Sequence, residues 1–135
     1  MRLIYKIKEL PYKLKMAWQR ATKGYCDSDS WDIYTWFSTN IVLLLTEMRN
    51  NRHGYPYLIK NDKGDMFTDE DWGEVLTEMI TCFRMVNDNS IWERKLDNPS
   101  DKIILQDLKE DSQIKQHYLE RGMELFTKYF WDLWD

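Results

Sequence analysis

Four stretches of the chain repeat their apolar residues at steps of three and four, the spacing of one face of a helix. The clearest runs from Met66 to Asn87. Thr68 stands where an N-cap is needed. Asp71, three residues on, completes a capping box, with Asp in place of the usual Glu or Gln. Phe67 before the cap and Trp72 in the first turns have hydrophobic-staple spacing. Asp69, Glu70 and Asp71 set negative charge at the positive end of the helix dipole. Trp72, Leu76, Met79, Phe83 and Val86 then form a bulky stripe that other helices must cover.

An earlier stripe, Leu3, Ile7, Leu10, Leu14, Ala17 and Ala21, predicts an amphipathic helix over residues 2–22. Pro11 inside it removes a hydrogen bond, so a kink or a junction of two helices is expected. Its charged face is mostly lysine. With Tyr12 and Trp18 for packing, it is expected to face a core rather than lie on a membrane. Gly24 is the expected stop. Beyond it, Asp27, Asp29 and Asp32 lack the glycine and the closing glutamate of a calcium loop. They read as a cap cluster, with Asp29 or Ser28 capping and Asp32 in the first turn of a second helix over residues 30–52. Tyr34, Phe37, Ile41, Leu44 and Met48 form its expected core stripe, widened by Trp31, Trp36 and Leu45. Arg49, Arg52 and His53 crowd its end, ahead of Gly54.

Residues 54–67 form a long non-helical stretch. Pro56 pushes Tyr55 towards an extended conformation, and Asn61 to Gly64 is turn chemistry. An irregular loop or a small hairpin, pairing Tyr57–Lys60 with Asp65–Phe67, is expected there. Its tyrosines either cover the helices or present a binding surface. Asn87 to Ser90 should close one element, with a short turn around Trp92 and a new start at Asn98-Pro99-Ser100.

The last helical region covers residues 101–133. Asp111 and Lys115 interrupt the stripe begun by Ile104 and Leu108. The second half is strong, with Leu119, Met123, Phe126, Phe130 and Leu133 flanked by Tyr129, Trp131 and Trp134. A straight helix of that length would run ~50 Å. A domain of this size has a radius of gyration of only ~14 Å. A bend near Gly122 is therefore expected, or a polar first half that projects as a partner surface. The whole pattern predicts a mainly α, single-domain bundle over residues 1–135, with four to five helices packed on the 68–87 stripe.

Composition supports a folded chain: aromatics make up 15%, with seven Trp and eight Tyr, too many for a disordered segment. Five Gly and three Pro disfavour a turn-rich β-sandwich. Cys26 and Cys82 make neither a disulfide framework nor a zinc site, and fit reduced thiols of a cytosolic protein. Arg2, Lys6, Lys8 and Glu9 break up the first ten residues, so no signal peptide is expected. The longest purely apolar run, Ile41 to Leu45, falls far short of the ~20 residues of a membrane span. The net charge of −4 is uneven. Residues 1–24 hold seven basic residues against one acidic, a net of +6, and the rest holds 12 against 22, a net of −10. Such asymmetry marks either an anionic partner for the basic end or a basic helix laid on an acidic body.

Catalytic constellations are missing from the sequence: no glycine-rich phosphate loop, nucleophile elbow, C-x-x-C or H-E-x-x-H occurs. Glu74 and Glu78, one turn apart, read as a solvated helix face rather than an acid–base pair. His53 and His117 lack metal-ligand spacing. No catalytic residue, cofactor or metal is therefore expected. Two surfaces are candidates for a partner. Lys6, Lys13 and Arg20 at seven-residue steps, with Lys8 and Lys15 beside them, form a candidate nucleic-acid stripe, opposed by the pI near 5.2. Asp69, Glu70, Glu74, Glu78, Glu110 and Asp111 form a candidate acidic surface for a protein with a positively charged groove.

Several blocks built on spaced Trp, Tyr and Gly cover most of the chain: WQRATKGYCDSDSWD, HGYP, W-x-x-V-L-x-E-M-I-x-x-F from Trp72 to Phe83, and G-M-E-L-F-x-K-Y-F-W-D-L-W-D at the end. In these the chain resembles a family of small uncharacterised proteins from tailed bacteriophages. Residues 58–65 and 88–115 resemble it least. The resemblance implies a phage origin and action in bacterial cytoplasm, and it carries no catalytic residue across. The expected function is that of a non-enzymatic phage accessory protein that binds a host protein, such as a nucleic-acid-handling or CRISPR-type defence component. The alternatives are nucleic-acid binding through the basic N-terminal helix, and a virion or housekeeping factor that self-associates through its aromatic C-terminus.

Overall fold

The computed structural model of the protein describes the backbone of residues 2–88 and 101–134, and side chains at residues 11–88 and 108–134. Among these, four α-helices follow one another: α1 (Arg2–Lys23), α2 (Ile33–Asn51), α3 (Asp69–Val86) and α4 (Asp101–Lys128). Short 3-10 turns stand at Asp27–Trp31 and Phe130–Asp132. The fold is mainly α, as the apolar spacing predicts. The turn expected around Trp92 and the start at Asn98-Pro99-Ser100 lie outside the described residues. The chain divides into two compact units, Met1–Phe37 and Ser38–Asp135.

In the first unit, α1 runs as one helix through Pro11, in place of two helices meeting there. The expected stripe is not the buried face. Leu14, Ala17 and Ala21 are exposed, while Met16 and Gln19 are buried; the side chains of Leu3, Ile7 and Leu10 lie outside the described residues. Hydrogen bonding makes this register workable. The Gln19 amide donates from Nε2 to Asp27 Oδ2 at 2.8 Å and accepts from the Asp27 N–H at 3.0 Å. A buried amide with both ends partnered costs little to bury. Gly24 turns the chain with φ +82°, a conformation open to glycine, and its N–H donates to the Arg20 carbonyl at 3.0 Å. Arg20 then donates to Asp29 at 2.8 Å, and Asp29 also accepts the Cys26 N–H at 2.8 Å. The aspartates after Gly24 therefore fasten a 3-10 turn back onto α1. The capping expected of Asp29 or Ser28 falls to Asp32, whose Oδ1 accepts the Thr35 N–H at 3.4 Å, and α2 begins at Ile33.

In the second unit, α3 starts as its sequence dictates. The Asp71 N–H donates to Thr68 Oγ1 at 3.1 Å, and the Thr68 N–H donates to Asp71 Oδ2 at 2.8 Å. Phe67 meets Trp72 edge-on, with ring centroids 6.3 Å apart. Trp72, Leu76, Met79, Ile80 and Phe83 are buried to within 1% of full burial, and Cys82 is buried beside them. At about 25 cal/mol per Å² of apolar surface, this stripe is the largest hydrophobic term in the unit.

Helix α4 covers the stripe and runs antiparallel to α3, since Tyr129 at its end packs on Trp72 while Gly122 packs beside Cys82 and Phe83. A Cβ on Gly122 would lie 3.1 Å from the Cys82 Cβ and 3.3 Å from the Phe83 ring. The glycine marks close helix approach, inside a helix that is continuous from Asp101 to Lys128. That helix stops five residues short of the expected 133, and Tyr129 leads into the second 3-10 turn. Its buried face is set by Gly122, Leu125 and Tyr129; Met123 and Phe130 of the expected stripe are exposed.

Helix α2 is tied to α3 by polar contacts along its length: Asn87 Nδ2 to Thr39 Oγ1 at 3.1 Å, Arg49 Nη1 to Thr77 Oγ1 at 3.3 Å, and Arg52 to Asp69 at 2.9 Å. It buries Ser38 and Leu45 and leaves Tyr34 and Leu44 of the expected stripe exposed. The segment between α2 and α3 forms the smallest version of the expected hairpin. Lys60 and Met66 make a lone antiparallel bridge, around a turn in which Asn61 Oδ1 accepts the N–H groups of Lys63 and Asp65, both at 3.0 Å. Gly64 takes φ +83° in that turn.

Candidate partner-binding surface

Ion pairing inside each unit claims much of the charge that the sequence singles out. Asp69 takes a two-pronged contact from Arg52, at 2.9 Å to each carboxylate oxygen. Glu78 accepts Arg121 Nε at 2.6 Å. Asp111 is buried and meets Lys115, one turn on, at 3.3 Å. Glu70 and Glu74 are exposed on α3 with no ion pair among the described residues, and Glu110 is exposed on α4. The acidic surface thus reduces to two free carboxylates on α3 and one exposed group on another helix. The basic stripe is similarly reduced. Lys15 lies 3.5 Å from Asp27 and Arg20 is bound to Asp29, while Lys13 is exposed. The side chains of Lys6 and Lys8 lie outside the described residues.

These pairings leave electrostatic traces. Asp29 is held down to about 2, first by the Arg20 hydrogen bond and then by the Cys26 N–H. Asp71 is lowered by the Thr68 N–H and hydroxyl. Burial pushes the Cys82 thiol up, and the Glu78 carboxylate adds to it. Both cysteines are free and buried. Among the described residues, no three His, Cys, Asp or Glu side chains gather as a metal site, and no helix is long and apolar enough to cross a membrane.

The second unit builds a concavity that the sequence pattern does not single out. Trp72 lines its floor, held from behind by Phe67 and Tyr129. The three rings pack with centroids 6.3, 5.5 and 6.1 Å apart, joining the loop, α3 and the end of α4. Such ring pairs each contribute ~0.5–1.5 kcal/mol beyond area burial. One wall is the extended run after α2, held where the Phe67 N–H donates to the Ile59 carbonyl at 3.1 Å. The other wall is the C-terminal turn, closed by the Asp132 N–H on the Tyr129 carbonyl at 2.9 Å. Between them lies a space of about 620 Å³, lined by His53, Tyr55, Tyr57, Leu58, Trp72, Asp132 and Trp134 among others.

The lining is open: Leu58 is 84% exposed and Trp134 is 76% exposed. Trp131, on the C-terminal turn that carries Asp132, is 84% exposed. Large exposed apolar groups gathered in one place mark an interaction surface, whereas single ones mean little. The sequence signals were the HGYPY and FWDLWD runs. Linear spacing could not show that residues so far apart share one wall and floor. No known family model, curated protein or solved structure matches the chain.

Proposed function

We propose that this protein works by binding another protein, as a non-enzymatic phage accessory factor in the bacterial cytoplasm. A host nucleic-acid-handling or CRISPR-type defence protein is the kind of target intended. The observation that carries the reading is the open apolar lining of the concavity floored by Trp72, at Leu58 and Trp134, together with Trp131 exposed on the adjoining C-terminal turn. Trp and Tyr dominate binding energy at protein interfaces, because each brings a large rigid surface with few rotamers to freeze. Glu70 and Glu74, left unpaired on α3, add a site for long-range steering of a basic partner.

The test is an affinity pull-down of the tagged protein from bacterial lysate, with and without nuclease, read by mass spectrometry. A host protein retained after nuclease is the expected result. Recovery that vanishes with nuclease contradicts it and shifts the weight to nucleic acid. A second reading is favoured by the same exposed Phe130, Trp131 and Trp134: self-association through the aromatic C-terminus. Light scattering separates the two, since self-association alone makes the mass rise with concentration and leaves the pull-down without a host protein.

A further inference from the structure

Asp132 is half-buried on the wall of the concavity, and among the described residues its carboxylate has no hydrogen bond or ion pair. Among the described residues no Lys or Arg lines the space; the basic group nearest in kind is His53. The other walls are aromatic, from Tyr55, Tyr57 and Trp134. A carboxylate without a partner among aromatic rings is complementary to a cation. The ring faces attract positive charge through their quadrupole, and the carboxylate supplies a directed counter-charge. The wider field points the same way, since residues 38–135 hold 12 basic residues against 19 acidic, a net of −7.

We propose that the concavity receives an arginine side chain of the partner protein, stacked against Tyr55, Tyr57 and Trp134 with the Asp132 carboxylate as its counter-ion. Arginine suits it better than lysine. The guanidinium is planar, stacks on aromatic faces, is weakly hydrated and meets a carboxylate with two parallel N–H groups. A space of about 620 Å³ also holds the backbone on either side of the arginine, and lies within the usual range for specific ligand sites. This inference rests on the partner-binding reading and names the chemistry of its anchor.

The test uses the full chain and capped five-residue peptides with arginine, lysine or citrulline at the centre and two glycines on each side. Citrulline keeps the shape of arginine and loses its charge. Binding is followed by NMR through the indole N–H signals, with Trp134→Phe used to assign the one in the wall. The arginine peptide is expected to shift the Trp134 signal saturably and to bind about tenfold more tightly than the citrulline peptide. Asp132→Asn is expected to remove that difference while leaving the other indole signals in place. Equal binding of the arginine and citrulline peptides to the wild-type chain overturns the proposal without any variant. So does the lack of any Trp134 shift, or an unchanged preference in Asp132→Asn. If the pull-down retains a host protein and Asp132→Asn retains it equally well, partner binding stands and the arginine anchor is lost.

Discussion

Single atoms decide the packing of α3 on α4. Gly122→Ala would gain about 1 kcal/mol of helix propensity. Its new Cβ would meet the Cys82 Cβ at 3.1 Å and the fully buried Phe83 ring at 3.3 Å, and neither has room to retreat. Overpacking of that kind costs ~1–3 kcal/mol, so the variant is expected to be less stable in urea. Gly73→Ala meets the end of the flexible Arg52 side chain instead, and is expected to be neutral or better. Removing Trp72 or Phe83 to alanine is expected to cost ~3–5 kcal/mol in the same measurement, and a loss under ~1 kcal/mol would contradict their core placement. Cys82 gives a pH signature. Its folded thiol titrates above the ~8.5 of an unfolded cysteine, so its contribution is complete below that pH and is lost as pH rises through the folded value. Cys82→Ala should flatten the alkaline fall in stability, read as unfolding midpoints between pH 8 and ~10. An identical fall in both proteins would count against a buried thiol. The identity of these core residues on α3 was legible, because one bulky stripe at helical spacing has one way to hide.

At the scale of elements, local chemistry was legible and facing was not. Thr68 and Asp71 needed no tertiary knowledge, since capping is settled within three residues. Thr68→Ala is expected to cost about 1 kcal/mol near neutral pH. Asp71 is lowered below the unfolded value of ~3.9, so its contribution is present above that pH and disappears as pH falls. The Thr68→Ala penalty should therefore shrink in acid melts, and a penalty independent of pH would speak against the reciprocal cap. The turn after α1 should loosen in acid too. Asp29 titrates near 2 when folded and ~3.9 when unfolded, so its hold on Cys26 is complete above ~3.9 and lost towards pH 2. Protection of the Cys26 N–H against hydrogen exchange, taken relative to an unfolded amide at the same pH, should fall across that window, and constant protection would contradict the pairing. By contrast, the buried faces of α1, α2 and α4 departed from the expected stripes. Apolar residues surround much of these helices, so several stripes look alike. The choice fell to partners the pattern cannot see: Gln19 on Asp27, Arg52 on Asp69, and Gly122 against Phe83.

Across the whole chain, the aromatic surplus separates into two populations. Phe67, Trp72, Phe83 and Tyr129 are core, while Trp131, Trp134 and Tyr57 are left open on the second unit. Composition gave the total and could not divide it, because division depends on where the loop after α2 meets the end of α4. The acidic surface read from sequence changed for a related reason, since Arg52 and Arg121 reach Asp69 and Glu78 from distant positions in the chain, while Lys115 takes Asp111 from one turn on. The central claim is that the open lining of the concavity and the exposed C-terminal turn beside it form a partner-binding surface. It is tested most directly by repeating the nuclease-treated pull-down with Trp131→Ser/Trp134→Ser beside Glu70→Lys/Glu74→Lys. Both variants alter exposed groups and are expected to melt within ~0.5 kcal/mol of the wild type. The account predicts that the tryptophan variant loses the retained host protein, while the charge-reversed variant keeps it with weakened, less salt-sensitive binding. Full retention by the tryptophan variant, with loss in the charge-reversed one, would contradict the account and return the interface to the acidic face of α3.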